Sequence, residues 1–228
     1  MKAAFAVLIT TAISLTFAEQ EVALLTSLAR DARPGVTPAL ISLEPTETFL
    51  AFLKVAFVTG IAIAMPVVIY QLFRFMAPGL EKREKRWILL SLPGMTFFFV
   101  LGVLFCYFIV LPSALGFLLN FGSQYVNNTP TVSKFLSFVT NFMLAVGLSF
   151  ETPLIVFMLA KLGIATPLRL RKFRRWAILL AFIIAAIITP TPDPINQAIV
   201  AIPMILLYEL GVIFARLGVR RPKPAPEP

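Results

Sequence analysis

The chain has 228 residues, of which 59% are hydrophobic and only 14% charged, and its mean hydropathy is +0.90. A soluble domain is roughly 45–50% apolar and about 25% charged, so this composition excludes a soluble globular domain and accommodates several membrane helices. The net charge of +9 is carried without any histidine, and the one cysteine, Cys106, lies inside an apolar run; an internal disulfide, the commonest metal ligand and the commonest general base are thereby removed, and no cofactor is expected.

A spanning helix needs about 20 apolar residues. Spans are predicted at Ala3–Ala18, Phe49–Phe73, Trp87–Leu111, Phe135–Leu162, Trp176–Thr189 and Ile195–Leu217, followed by a basic, proline-rich tail over 218–228. No alternating strand pattern argues for a β-barrel. The whole chain reads as a single integral membrane domain of all-α class.

The first apolar run is open to three readings. It is a first span, or a cleavable signal peptide with small residues Thr16 and Ala18 ahead of the cut, or a first helix that the chain enters partway. The loop after it holds the acids Glu19, Glu21, Asp31, Glu44 and Glu47. Around Pro45, Thr46 or Thr48 is predicted to cap the second span, with Glu47 favoured near its N-terminus and Lys54 snorkelling outward.

The next loop carries Arg74, Lys82, Arg83, Lys85 and Arg86 around a helix-breaking Pro78-Gly79. Its acids, Glu81 and Glu84, have two readings. They form local ion pairs, or they offer a carboxylate to a cationic ligand, where guanidinium pairing is bidentate. A second basic loop holds Lys161, Arg169, Arg171, Lys172, Arg174 and Arg175, and the tail holds Arg216, Arg220, Arg221 and Lys223. Basic residues in short runs between apolar spans belong to lipid flanks rather than to a nucleic-acid face, and by the positive-inside rule these loops and both termini are cytoplasmic.

Within Phe142–Leu162 lies Glu151, next to Thr152-Pro153. An ionised carboxylate at mid-bilayer costs about 2.5–3.5 kcal/mol on insertion scales. Either it is bonded to a neighbouring helix as structural glue, or it is a polar spot in a concave face that receives a partner. Pro153 is expected to kink the helix beside it.

Trp176–Thr189 spans about 21 Å at ~1.5 Å per residue, under the ~30 Å hydrocarbon core. Either the bilayer thins around this hairpin, or the helix starts earlier, at Leu168, with snorkelling arginines. Beyond the Pro190–Pro194 turn, Asp193 is read as an N-cap and Gln197 as an amide that bonds across helices. Glu209 is read as a partner for a nearby arginine. Hydrolase and nucleotide-binding motifs are missing. The reading that rivals a receptor is a proton-coupled secondary transporter with Glu151 as its proton site; an intramembrane enzyme lacks a nucleophile–base pair.

Several stretches, in order, carry a family likeness: Pro45-Thr46-Glu47-Thr48-Phe49, Met65-Pro66 through Phe75, Ala77-Pro78-Gly79-Leu80 with Glu84-Lys85-Arg86, Phe150-Glu151-Thr152-Pro153, Thr191-Pro192-Asp193, Gln197, Ala201-Ile202-Pro203-Met204 and Tyr208-Glu209. Over roughly 40–217 the chain resembles the TatC family, the membrane receptor subunit of the twin-arginine protein translocase. The resemblance implies six transmembrane helices in a concave, glove-like bundle of the cell's inner membrane. It implies a receptor without enzymatic activity that binds twin-arginine signal peptides and exports folded proteins on the proton-motive force. Its partners would be TatA- and TatB-type single-span subunits, the lipid bilayer and further copies of itself. Matched residue by residue, Glu84 and Phe75 fall in the signal-peptide site, Glu151 on the concave face, Gln197 near where partner helices dock, and Pro45 and Asp193 at outer-loop positions needed for transport. The family's leading S-x-x-x-H-L-x-E-L-R-x-R segment is not found ahead of the first span, which favours the third reading of the N-terminal run.

Overall fold

The long apolar runs fold as helices because hydrocarbon leaves each backbone N–H and C=O only a partner within its own segment. In the computed structural model, residues 2–32, 40–76, 82–122, 125, 129–161, 163–189 and 193–218 are described, those at 2, 45, 72–76, 82–92 and 218 by backbone alone. Chain order gives α1 (Lys2–Thr16), α2 (Ala18–Ala32), α3 (Pro45–Met76), α4 (Lys82–Phe105), a π-helical turn (Cys106–Val110), α5 (Leu111–Asn120), α6 (Val132–Ser149), α7 (Thr152–Lys161), α8 (Pro167–Lys172), α9 (Arg174–Ile188) and α10 (Pro194–Gly218). The architecture is all-α, as the composition requires.

Four segments among the described residues are long and apolar enough to cross a bilayer alone: Thr46–Gln71, Pro93–Asn120, Val132–Lys161 and Pro194–Leu217. The other two apolar helices, α1 and α9, have 15 residues each, about 22 Å at 1.5 Å per residue. α1 is followed at Phe17 by a 74° bend into α2. α2 went unanticipated because its segment reads as an acidic loop, yet it presents Val22, Leu25, Leu28 and Ala29, all buried, at helical spacing. It carries acids in its first turn and Arg30 in its last, the polarity that suits a helix dipole.

The core is a belt from α2 through α10. Val55, Leu111, Leu115, Leu136, Val139 and Val200 are all within 2% of complete burial. Outside it, side chains such as Phe5, Phe49, Phe108 and Ile187 are more than half exposed, as expected where the surrounding solvent is lipid. Close helix contacts rest on small residues. A Cβ at Gly60 would lie 2.4 Å from Thr11 Oγ1, and Thr10 donates its hydroxyl to the Gly60 carbonyl at 2.7 Å, so α1 and α3 meet backbone to backbone.

Two local expectations are revised. α3 starts at Pro45, ahead of both threonines proposed as caps. Proline suits the first helical position, where its missing N–H is not needed, and Glu47 takes the capping role by accepting the Leu43 N–H at 2.9 Å. The helix before Trp176 does begin near Leu168, but as the separate six-residue α8, which ends in a turn at Phe173 before α9. The Pro190–Pro192 turn and the tail from 219 onward lie outside the described residues.

Candidate functional site

The candidate residues fall at different ends and breaks of the helices. Phe75 lies in the last turn of α3 and Glu84 in the first turn of α4. Glu81 and Pro78-Gly79 between them, and the side chains of Phe75 and Glu84, lie outside the described residues. The backbone therefore places this pair where α3 ends and α4 begins, and goes no further.

The opposite end is held by a clasp that the sequence reading passed over. Ile41 donates to the Pro130 carbonyl at 3.2 Å and accepts from the Val132 N–H at 2.9 Å. Glu47 Oε1 accepts the Ser133 N–H at 3.2 Å while its other oxygen holds Leu43. One carboxylate thus ties the N-terminus of α3 to that of α6, beside the Pro45 position. Its cue in the sequence, an acid in the first helical turn, pointed to α3 alone; the pairing with Ser133 joins residues 86 apart.

Asp193 caps α10, with its carboxylate accepting the N–H groups of Ile195 at 3.2 Å and Asn196 at 3.4 Å. Ser113 donates to the Asn196 side chain at 2.5 Å, fastening the first turn of α5 to the start of α10. Gln197 donates its amide to the Phe182 carbonyl at 2.8 Å. The interhelical bond expected of Gln197 is therefore made inside the protein, to α9.

The centre of the site is the break between α6 and α7. Pro153 has no N–H for the Ser149 carbonyl, and the Thr152 hydroxyl donates to that carbonyl instead, at 2.6 Å. The Phe150 N–H is shared between the Val146 and Gly147 carbonyls. Glu151 sits in the turn so formed, 2% exposed, and neither carboxylate oxygen has a hydrogen-bond partner. Leaving a buried polar group unsatisfied costs about 1–3 kcal/mol, more for a charged one. The break is walled on both sides. A Cβ at Gly102 of α4 would lie 2.7 Å from the Phe150 side chain, and one at Gly211 of α10 would lie 2.9 Å from the Pro153 backbone.

A groove of about 190 Å³ opens between α2, α3, α4 and α6, lined by Glu21, Thr59, Phe99, Val103 and Thr140 among apolar neighbours. Glu151 is not among its lining residues. The two share a wall, because a Cβ at Gly147, one turn before Glu151, would touch Phe99 at 2.9 Å and Val103 at 3.1 Å. Glu151 thus lies one helical turn beyond the wall of this groove. Glu21, unremarked in the sequence beyond its loop charge, is the carboxylate that does reach the groove. It accepts the Ser14 hydroxyl at 2.7 Å with one oxygen and leaves the other buried and unpartnered. No cluster of three or more potential metal ligands occurs among the described residues.

A family model described as "Sec-independent protein translocase protein (TatC)" matches residues 1–203. The relative named Sec-independent protein translocase protein TatC from Aquifex aeolicus is 42% identical over 186 residues, covering 81% of this chain and 77% of its own. Its counterpart in Carboxydothermus hydrogenoformans is 40% identical over 177 residues, covering 78% and 73%. A crystal structure of the twin arginine translocase receptor TatC superposes with a TM-score of 0.77 at 39% identity, over 96% of this chain and 95% of that one. A second, in DDM, gives 0.78 at 39% identity, over 93% and 94%.

Proposed function

The chain belongs to the TatC family and is a multi-pass membrane component of the Sec-independent, twin-arginine protein translocase, and from that premise we propose how its residues divide the work. The inner loop, through Glu84 with Phe75 beside it, takes the paired arginines of a signal peptide. A carboxylate is the group that guanidinium forks require, and two forks against one acid are charge-assisted and bidentate. The apolar remainder of the signal peptide and the single helices of TatA- and TatB-type subunits lie against the intramembrane surface. Glu151 and Gln197 are the polar positions there, and Pro45 and Asp193 shape the outer rim. The membrane is the cell's inner one with both termini cytoplasmic, which the basic inner loops support. Cargo leaves folded, driven by the proton-motive force, and the chain itself catalyses no covalent step.

The observation that carries the intramembrane part of this reading is Glu151, a carboxylate 2% exposed with neither oxygen partnered. A resident structural acid would have found a donor among its neighbours. One without a donor is placed for a partner that arrives, or for a rearrangement of the α6–α7 break that brings the donor in. The transporter reading, with Glu151 as a proton site, is not favoured by the relatives named above as translocase proteins.

The inner site is tested by binding a labelled twin-arginine peptide to the purified chain in nanodiscs. Glu84→Ala is expected to weaken binding about tenfold or more, the worth of a charge-assisted contact, while Glu81→Ala changes it little. Equal losses would take Glu84 out of the role.

A further inference from the structure

We propose that the elbow between α8 and α9 is a binding surface for the headgroups of anionic phospholipids. The segment is fixed on its inner side. Leu170 is buried, and its carbonyl accepts the Tyr208 hydroxyl of α10 at 2.7 Å. Arg174 pairs with Glu209 of α10. Held by these two attachments, the elbow turns Arg169, Arg171, Lys172 and Arg175 outward, all exposed.

Charge balance at this place is one-sided. The ion pair on this segment is Arg174–Glu209. Among the acids whose side chains are described, Glu209 alone is ion-paired on this segment, and it is paired with Arg174 rather than with any of the four outward cations. Four basic side chains on a short, pinned segment give an anion-binding surface whose ordering cost is largely met before the ligand arrives.

The same segment also identifies the kind of anion. Interleaved with the cations are Leu168, 70% exposed, Phe173, 44%, and Trp176, 50%. The Arg175 guanidinium lies 6.0 Å from the Trp176 ring centre. Such apolar groups disfavour a purely aqueous ligand, but they suit a molecule that offers phosphate next to hydrocarbon. Arginine and lysine beside tryptophan at the end of an apolar helix is the composition of a headgroup-level contact. The surface is built on elements other than α3 and α4, and the inference does not depend on the signal-peptide reading.

Trp176 itself supplies the probe, since the chain has only two tryptophans. In a Trp87→Phe background, the full chain is reconstituted in vesicles containing either brominated phosphatidylglycerol or brominated phosphatidylcholine at equal mole fraction, and quenching of Trp176 is measured. Phosphatidylglycerol is expected to quench more strongly, corresponding to a several-fold local enrichment. Neutralising R169Q, R171Q, K172Q and R175Q together should erase the preference, since these charges supply the attraction to anionic headgroups. The charge-keeping set R169K, R171K and R175K should retain most of it, which separates loss of charge from misfolding. Millimolar inorganic phosphate should not compete. Equal quenching by the two lipids in the unneutralised chain overturns the proposal whatever the variants do. So does a preference that survives neutralisation, or one abolished by free phosphate or by a poly-glutamate peptide, which would assign the surface to a soluble anion or an acidic partner.

Discussion

The α9–α10 hairpin and the α6–α7 break both bring polar groups into the membrane, and they treat them in opposite ways. In the hairpin, the polar groups that matter are matched. Gln197 bonds to the Phe182 carbonyl, Asp193 caps α10, the Thr189 hydroxyl returns to the Ala185 carbonyl, Tyr208 reaches Leu170 and Glu209 holds Arg174. In the break, the hydroxyls of Ser149 and Thr152 are satisfied by backbone carbonyls, but the carboxylate they flank is left without a donor. Hydrocarbon penalises an unmatched polar group by several kcal/mol. A hairpin with matched groups has reached its resting arrangement, whereas a break holding an unmatched acid stores free energy that a partner can release. The contrast separates polar residues that serve the fold from one that the fold pays to keep.

The sharpest way to break this contrast is Glu151→Ala. If the acid is held for a partner, its removal leaves the isolated chain as stable as before or more so, because the desolvation cost disappears. Transport should meanwhile fall by about a hundredfold, the equivalent of the roughly 2.5–3.5 kcal/mol that mid-bilayer burial of the charge costs. Thermal unfolding in detergent and export of a folded reporter check the two halves. A variant that unfolds would place Glu151 with the matched groups of the hairpin.

Next in size is Gly211→Val, at the seam where the two regions touch. Its Cβ would lie 2.9 Å from the Pro153 backbone, which has no rotamer by which to yield. The branched side chain should cost about 1–3 kcal/mol through overpacking and lower the unfolding temperature in detergent. The same substitution at Gly116, where a Cβ meets nothing within 4 Å, should have little packing effect and serves as the control.

How far the sequence could foresee this molecule depends on how local each cause is. The apolar lengths of α3, α6–α7 and α10 announce themselves, since a bilayer reads composition along one segment. The broken helix at Pro153 and the cap at Asp193 were legible for the same reason, each being decided within four residues. Other features depend on contacts that no single segment contains. Glu47 looked like a first-turn acid of α3 and is a clasp to Ser133; Glu21 looked like loop charge and is a groove-lining group beside Ser14. The π-helical turn at Cys106–Val110, which carries the helix beyond Leu111 to Asn120, has no composition signal of its own. The exposure of Glu151 was the least readable property of all. A heptapeptide shows that an acid is present, whereas Gly102 of α4 and Gly211 of α10, packed on Phe150 and Pro153, decide that it is walled in.

Two smaller effects sharpen the hairpin side of the comparison. Gln197→Leu removes one interhelical bond and should cost about 0.6 kcal/mol, with an upper bound near 1.7, as such bonds do in membrane proteins. Glu209→Gln should cost less, about 0–1 kcal/mol, because the Arg174–Glu209 pair is 42% and 33% exposed and is screened accordingly. Its signature is salt dependence. The stability gap between the original chain and Glu209→Gln should narrow as ionic strength rises toward 1 M, where the screening length is about 3 Å, while the gap for Gln197→Leu stays constant. A salt-independent gap at Glu209 would mean that the pair behaves as a buried one. In that case the buried Arg174 Nε, which has no partner, becomes an unmatched group within the hairpin, and the hairpin no longer stands as the fully paired member of the comparison.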